Sequence, residues 1–502
     1  MMAVEASEFE PLLLPNHPYF TTDDPLGLID ADDYPTPVYP ILESHIFSKF
    51  RSASKNVSPE SLISEFVSII SDLSYTLHNR PDPNLNILKS CITSVSDQAT
   101  RIGFIVNFAS KLPTFFPSGS LPPLKPEETR TYTKAHLLSI LSHQLLLTLP
   151  IPKWNDWGGV NLTSWFSDAD GNREPKRTYT NICLDHFMQS ETTLQSQEFN
   201  FHLCHTQSPP SLTTKTPLIP LIILELPNEE DFPATKLPTD NYHTTYIISS
   251  HRLIGHGPSA TQEERILASI PELLPVSTFT PPLQANTALA VTASTGNGFI
   301  PTAIFTGHGR TAQLDSSYDR EDYENENTKN KIRANTFLFL NATELDTVEV
   351  PESEDGSRSL PDFLQGVPQQ DLLKAYTGFS GVFDSQAKKY GKNQRIIATP
   401  WGSGAFGGDV RVKLLILWVA ASFAAARLEE GQRAELVFLV KQFVIDAKEI
   451  CWKEKLERIQ DSEVGADDLW RVLLGIADTN PASNGILEAI VDALEIGRPH
   501  VI

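Results

Sequence analysis

Between residues 217 and 440 the chain repeats one pattern, a short apolar run of strand length followed by a helical or irregular stretch and then another run. The runs fall at residues 217–226, 244–250, 287–293, 336–343, 395–399 and 435–440. Each is rich in branched or aromatic residues and too short for a buried helix. Helical periodicity separates several of them, notably at 370–389 and 409–428. Strands alternating with helices predict a mixed α/β sheet covered by helices. Upstream the pattern is helical, with apolar residues three and four apart over 58–77, 87–112 and 132–149. The expected organisation is an irregular proline-rich and acidic segment at 1–35, a helical accessory region at 36–130, and an α/β core at 131–502. A proline-punctuated linker at 112–129 marks the boundary, and an acidic polar loop falls at 314–331.

The charge balance narrows the partners. Forty basic residues against 62 acidic ones give a net charge of −22, a field that repels polyanions at long range. A broad basic nucleic-acid surface is therefore not expected, and any phosphate-rich ligand must be held locally by loop amides and helix N-termini. No run of about 18 uncharged apolar residues suggests a membrane span. The N-terminus carries acids and an early proline where a signal peptide needs a basic start and an apolar run, so the expected compartment is intracellular. Four scattered cysteines form no CxxC pair, and thirteen histidines form no HExxH pair. Neither a disulfide framework nor a metal site is expected, and the adjacent Cys204 and His205 read as ordinary residues.

Two glycine-containing segments can carry chemistry. The first, GHGPSATQEERILASIPEL (255–273), follows a strand and opens a helix. Its glycines, Gly255 and Gly257, let backbone amides approach a ligand, and Gln262, Glu263 and Glu264 fall in the first helical turn. The same residues also fit a structural role, because Thr261-x-x-Glu264 matches a capping box and acids are favoured at helix starts. The second, ATPWGSGAFGGDVRVKLLILWVAA (398–421), is a strand, a glycine-rich loop and a strongly helical run. A loop of that kind presents several N–H groups to a phosphate. Residues 402–407 also satisfy the G-x-G-x-x-G of dinucleotide folds, but the next strand carries its acid at the start rather than the end, which disfavours a nicotinamide-dependent oxidoreductase. Aromatic clusters at 154–166 and 374–383 could stack on a ligand, although core packing is the commoner use of such residues.

Together these segments resemble the poly(ADP-ribose) glycohydrolase family. That family pairs a glycine-rich loop followed by QEE, here Gln262, Glu263 and Glu264, with a later GxGAFGGD loop, here residues 402–409. AHLLSILSHQLLLTLP (135–150), SIPEL (269–273), LLKAYTGFSGV (372–382) and VGADDLWRVLL (464–474) are similar to family segments in the same order, so the likeness runs from about residue 130 to near the C-terminus.

The resemblance implies a macrodomain-like mixed sheet with a helical accessory region, and hydrolysis of ribose–ribose O-glycosidic bonds to release ADP-ribose, without metal or redox cofactor. It implies Glu264 as general acid/base, Glu263 as the residue that positions the ribose, and Gln262 as a further contact. Gly255, His256 and Gly257 would form the first loop. Trp401, Gly402, Ser403, Gly404, Ala405 and Phe406 would supply the diphosphate loop, with Phe406 beside the terminal ribose. The implied partners are poly(ADP-ribose) or ADP-ribosylated proteins, and the implied setting is the response to DNA damage in nucleus or cytoplasm.

Neighbouring residues i and i+1 on a helix point about 100° apart, so Glu263 and Glu264 cannot flank one bond as equivalent carboxylates. One acid must serve as donor and then base. The helix N-terminus would lower the pKa of Glu264 whereas a donor needs it raised, so burial under ligand, the Glu263 charge or substrate phosphate is expected to oppose it. The chain departs from the family where three consecutive glycines become Gly255-His256-Gly257. An upstream Asp and Asn fall at Ile248 and His251, the adenine-stacking tyrosine at His308, and a later stacking phenylalanine near Val440. Those departures keep two other readings open, a catalytically weakened ADP-ribose reader and a hydrolase of mono-ADP-ribose linkages.

Overall fold

The computed structural model describes residues 9–29, 35–51, 58–79, 83–155, 159–169, 172–188, 197–210, 215–226, 241–294, 298–306, 312–316, 318, 333–349, 360–387, 392–441, 451–477 and 485–496. Its centre is an eight-stranded sheet. The strands are β1 (Thr129–Thr133), β2 (Glu198–His205), β3 (Leu221–Leu226), β4 (Tyr242–Ser250), β5 (Thr287–Ala293), β6 (Thr336–Asn341), β7 (Asn393–Ala398) and β8 (Ala434–Lys441). They lie in the order β1-β2-β5-β6-β4-β7-β8-β3. Pairing is antiparallel from β1 to β6 and parallel from β6 through β4, β7 and β8 to β3. This is the mixed sheet the alternation predicts.

All six strands read from the sequence are present, and β1 and β2 are additional. Both were hidden by polar residues. In β2 the buried Phe199, Phe201 and Leu203 alternate with Asn200 and His202, a half-buried period-2 pattern with no uninterrupted apolar run.

Successive side chains of the inner strands enter different cores, because strand side chains alternate between faces. Tyr246 and Ile248 of β4, Leu289 and Val291 of β5, and Phe337 and Phe339 of β6 pack on one face. Ile247, Ala288, Ala290, Leu338 and Leu340 pack on the other. Among the described residues, the longer helices that join the first face are α1 (Pro59–His78), α2 (Asn86–Ser94), α3 (Gln98–Ser110), α4 (Lys134–Leu145), α5 (Arg173–His186) and α6 (Gln262–Ser269). The second face is covered by α7 (Val367–Val382), α8 (Val410–Ala425), α9 (Cys451–Asp461), α10 (Ala466–Ala477) and α11 (Ile486–Ile496). Helix α8 is apolar almost all round because it lies between the sheet and other helices.

Local signals set several helix starts. Ser58, Thr133 and Asp409 each cap the following helix with a side-chain oxygen. The single helix expected over 87–112 is instead two, α2 and α3. The chain turns at Asp97, whose φ of 57° lies in the left-handed region and breaks the periodicity. The N-terminal segment is not wholly irregular, since Leu12–Leu13 pairs with Ser120–Leu121 and Leu12 and Leu14 are buried in the first core. Only a few residues of the acidic stretch at 314–331 lie within the described residues. No described helix is long and apolar enough to cross a membrane.

A buried ionic cluster ties the helical layer to the core. Glu272, in the 3₁₀ turn Pro271–Thr278 after α6, sits 2.6 Å from Lys134 Nζ at the start of α4 and 3.4 Å from His186 Nε2 at the end of α5. Burial alone would raise the Glu272 carboxyl, but His186 and Lys134 more than offset it and hold it down to about 2. A depressed carboxylate stabilises the fold fully above its unfolded pKa, about 4.3, and loses that contribution as pH falls toward about 2. Glu272→Gln should therefore destabilise the protein at pH 7 by about 3–5 kcal/mol, because the buried Lys134 loses its counter-charge. Denaturant titrations should also show the variant lacking part of the stability that the wild type loses between roughly pH 4.5 and 2.

Candidate active site

Strand β4 lies in the parallel half, next to the junction with the antiparallel half, and pairs with β6 on one side and β7 on the other. The crevice beyond the carboxyl ends of such strands is where open α/β sheets bind ligands. Both glycine-containing segments emerge there, one after β4 and the other after β7.

The first segment is organised by its own side chains. Thr261 caps α6 by accepting from Glu264 N at 3.4 Å, while Glu264 Oε2 accepts from Thr261 N at 3.1 Å. The capping box is thus formed. It engages one carboxylate oxygen, and the other, Oε1, lies against Gly257 so closely that a Cβ there would overlap it. Gly257 is therefore the glycine that space requires. Gly255 has room for a side chain and contributes its amide, which donates to Glu263 Oε1 at 2.8 Å. His251 N donates to Glu263 Oε2, also at 2.8 Å, so the loop is wrapped around Glu263.

Burial dominates both acids. It pushes Glu263 up to about 8 against the two amide bonds, with the adjacent Glu264 charge adding to the rise. It also raises Glu264, against the amides of Thr261, Ala260 and Ser259 at the helix start and against Arg265. The opposition to the helix N-terminus thus comes from the protein's own packing, with no ligand needed.

His256 does not intrude on the carboxylates. Its ring is buried edge-on to Trp165, with centroids 5.4 Å apart, and its Nε2 lies 3.2 Å from Val160 O. Trp165 Nε1 in turn donates to Gly257 O at 3.0 Å. The loop is thereby held from behind by residues of the 159–166 stretch, and His256 acts there as an anchor within the core.

The second segment forms a closed turn. Gly402 and Gly407 have φ of 69° and 73°, conformations that favour glycine, and Gly408 N donates to Gly402 O at 2.9 Å. Gly404 and Ala405 are exposed at the tip, Ser403 is half-buried, and the amides of Gly404, Ala405 and Phe406 donate to no described residue. They stand just ahead of α8, whose first amides are capped by Asp409 Oδ1 through Arg411 N at 2.8 Å and Val412 N at 3.3 Å. Phe406 is half-buried against the second core, and its carbonyl accepts from Leu345 N at 2.9 Å.

The Trp401 side chain points away from the loop. Its ring is fully buried, donates to Leu340 O at 3.1 Å and packs in the second core, because the chain dives back under β6 before the loop turns out.

One residue joins the two segments. Ser249, near the end of β4, donates its amide to Gln262 Oε1 at 3.0 Å and accepts from Gly402 N on its hydroxyl at 3.1 Å. Stretches about 140 positions apart thus meet at a single serine. The comparison with known families agrees with this geometry. Residues 232–429 match the family model described as poly(ADP-ribose) glycohydrolase (PARG), macro domain fold. Residues 232–429 thus form a poly(ADP-ribose) glycohydrolase catalytic region of macro domain fold.

The matched region carries both loops and strands β4, β5, β6 and β7 of the glycohydrolase, while β1, β2, β3 and β8 lie outside it. The fold is accordingly the macrodomain-like α/β sheet, and the activity is that of a glycosidase cleaving the ribose–ribose O-glycosidic bonds of poly(ADP-ribose) to release ADP-ribose. The G-x-G-x-x-G loop belongs to that fold and not to a nicotinamide-dependent oxidoreductase.

Other departures from the family pattern have structural explanations. Ile248, at the position of the upstream Asp, is fully buried in the first core, and Val440 is buried in the second and presents no stacking surface. His251 pairs through Nε2 with Glu344 Oε1 at 2.9 Å. His308 lies outside the described residues. Among the described residues, no group of three His, Cys, Asp or Glu side chains is arranged to hold a metal ion.

Sequence reasoning missed Ser249, Trp165 and the buried Lys413. Lys413 left a signal, as a second cation after Arg411 at the start of an otherwise apolar helix. Ser249 left only a polar ending to an apolar strand. Gly257→Ala would push the Glu264 carboxyl, the expected proton donor, by about an ångström and should lower kcat by about 100-fold, since a displacement of that size costs that order. The thermal midpoint should change by only a few degrees, and turnover and melting measured together check both.

Proposed function

We propose that Glu264 performs the proton transfers of this glycohydrolase. A ribose–ribose bond breaks when its bridging oxygen receives a proton while the sugar carbon develops oxocarbenium character. Glu264 gives that proton, the C–O bond cleaves, and the departing ribose leaves with a new hydroxyl. Water then adds to the cationic carbon and surrenders a proton to the Glu264 carboxylate, which restores the acid. The supporting observation is the placement of the Glu264 carboxyl: one oxygen holds the helix cap, the other faces the Gly257 backbone, and burial raises the group. A donor must be protonated before it acts, and a raised pKa keeps it so further toward neutrality.

Glu263 has a different task. Both its oxygens are engaged by backbone amides, and it fixes the loop against which the ribose would sit. Gln262 is fixed by Ser249, next to the second loop. The amides of Gly404, Ala405 and Phe406 would receive the diphosphate at the start of α8, which supplies locally what a net charge of −22 withholds at long range. Since poly(ADP-ribose) is the substrate, the proposed setting is the nucleus, the cytoplasm or both, in the response to DNA damage.

Glu264→Gln should abolish ADP-ribose release from purified polymer, with at least about a 1,000-fold loss, while binding of ADP-ribose is retained. Turnover unchanged by that substitution would remove Glu264 from the mechanism. In the wild type, activity should fall on the alkaline side as Glu264 loses its proton. A pH–rate profile should place that limb above the ordinary carboxylate range.

A further inference from the structure

Beneath the glycine-rich loop lies a cluster of charges that the proposed chemistry does not use. Lys413, one turn into α8, is fully buried, with Nζ 2.5 Å from Asp371 Oδ2 and 3.1 Å from Asp362 Oδ1. Asp371, on α7, accepts from Thr343 Oγ1 at 2.5 Å, and the same hydroxyl accepts from Lys374 Nζ at 2.7 Å. Asp362 is 1% exposed, and its Oδ2 accepts from Asp409 N at 2.8 Å, where the loop ends and α8 begins. A Cβ on Gly408 would meet Lys413 Cε at 2.5 Å, so loop and lysine are in close packing contact.

Two lysines and two aspartates in a core are a poor way to gain stability. Desolvation removes most of what the ion pairs return, and apolar residues of the same volume often do as well or better. Burial outweighs the pull of Lys413 at Asp362, whose carboxyl sits above its ordinary range, while Lys413 is held above its own between two carboxylates. What charges of this kind supply is a fixed geometry. Here the fixed point is the Asp409 amide, the exit of the loop whose tip amides stand unpaired.

We infer that Asp362, held by Lys413 and Asp371, is a positioning residue that fixes the 402–408 loop in its diphosphate-binding shape. It does so through the Asp409 amide and the close packing of Lys413 under Gly408. The inference rests on the assignment of that loop to the diphosphate, and the two are tested apart by comparing ADP with adenosine, which differ only in the diphosphate. Calorimetric affinities for both are measured on the wild type, on Asp362→Ala and on Asp362→Asn, with kcat and KM on polymer.

The wild type should prefer ADP. Asp362→Ala should lose about tenfold of that preference, as for one charge-assisted hydrogen bond, with adenosine affinity unchanged. Asp362→Asn, whose amide oxygen can still accept from Asp409 N, should recover most of it, and the loss should appear in KM rather than kcat. A wild type that binds ADP no better than adenosine would overturn the loop assignment and the inference with it. A preference that survives intact in Asp362→Ala would overturn the inference alone. Should Asp362→Ala not fold, the volume-matched pair Lys413→Met with Asp371→Leu removes the support of Asp362. An unchanged ADP preference in that folded pair would also overturn it.

Discussion

The site depends on the two hydrogen bonds of Ser249. Its amide fixes Gln262 and hence the register of the first turn of α6, while its hydroxyl fixes Gly402 and hence the entry of the second loop. A strand end is a suitable place for this junction. The sheet holds Ser249 opposite Leu340 of β6, and β7 pairs with β4 up to Tyr246, so the strand end that carries the serine is anchored. Everything proposed about proton transfer and phosphate binding requires those two loops to face one another, and no other described contact joins them so directly.

The acids show how competing electrostatic effects resolve in one turn of helix. The N-terminus of a helix favours ionised carboxylates, typically by under 1 kcal/mol, whereas removing a carboxyl from water costs several. Burial therefore prevails at both positions, and more strongly at Glu263, which is enclosed by its own loop. The structural use and the proposed chemical use of Glu264 coexist because a carboxylate has two oxygens. A capping box by itself is therefore no argument against a catalytic role when the second oxygen faces a bare stretch of backbone.

Much of this was legible in the sequence, and the reasons differ by element. The inner strands announce themselves because both their faces are buried, which leaves apolar runs without interruption. Strands β1 and β2 lie toward one edge, and their polar alternation resembles loop sequence. The two glycine-containing segments were legible because backbone approach demands particular residues at fixed spacing. The resemblance supplied the roles of Gln262, Glu263 and Glu264, which periodicity could not. Partnerships across the fold left no such trace: Trp165 with Gly257, Asp362 with Asp409, and Glu272 with Lys134 and His186 depend on folding distance. The destination of the Trp401 side chain was equally invisible, since an indole before a glycine loop can turn inward or outward.

The boundaries of the family match have a consequence for what counts as a working unit. Residues 232–429 hold four neighbouring strands, yet in the intact sheet β5 is paired on its outer side by β2, and β7 by β8. Cut out alone, that piece would carry two long, flat, apolar margins with unsatisfied backbone, a template for self-association. It would also lack the indole that grips the back of the acid-bearing loop. The flanking sequence is therefore as much a part of the hydrolase as the signature itself, and grafting the signature into another scaffold would carry over the reactive groups without the frame that keeps them apart from water and from each other.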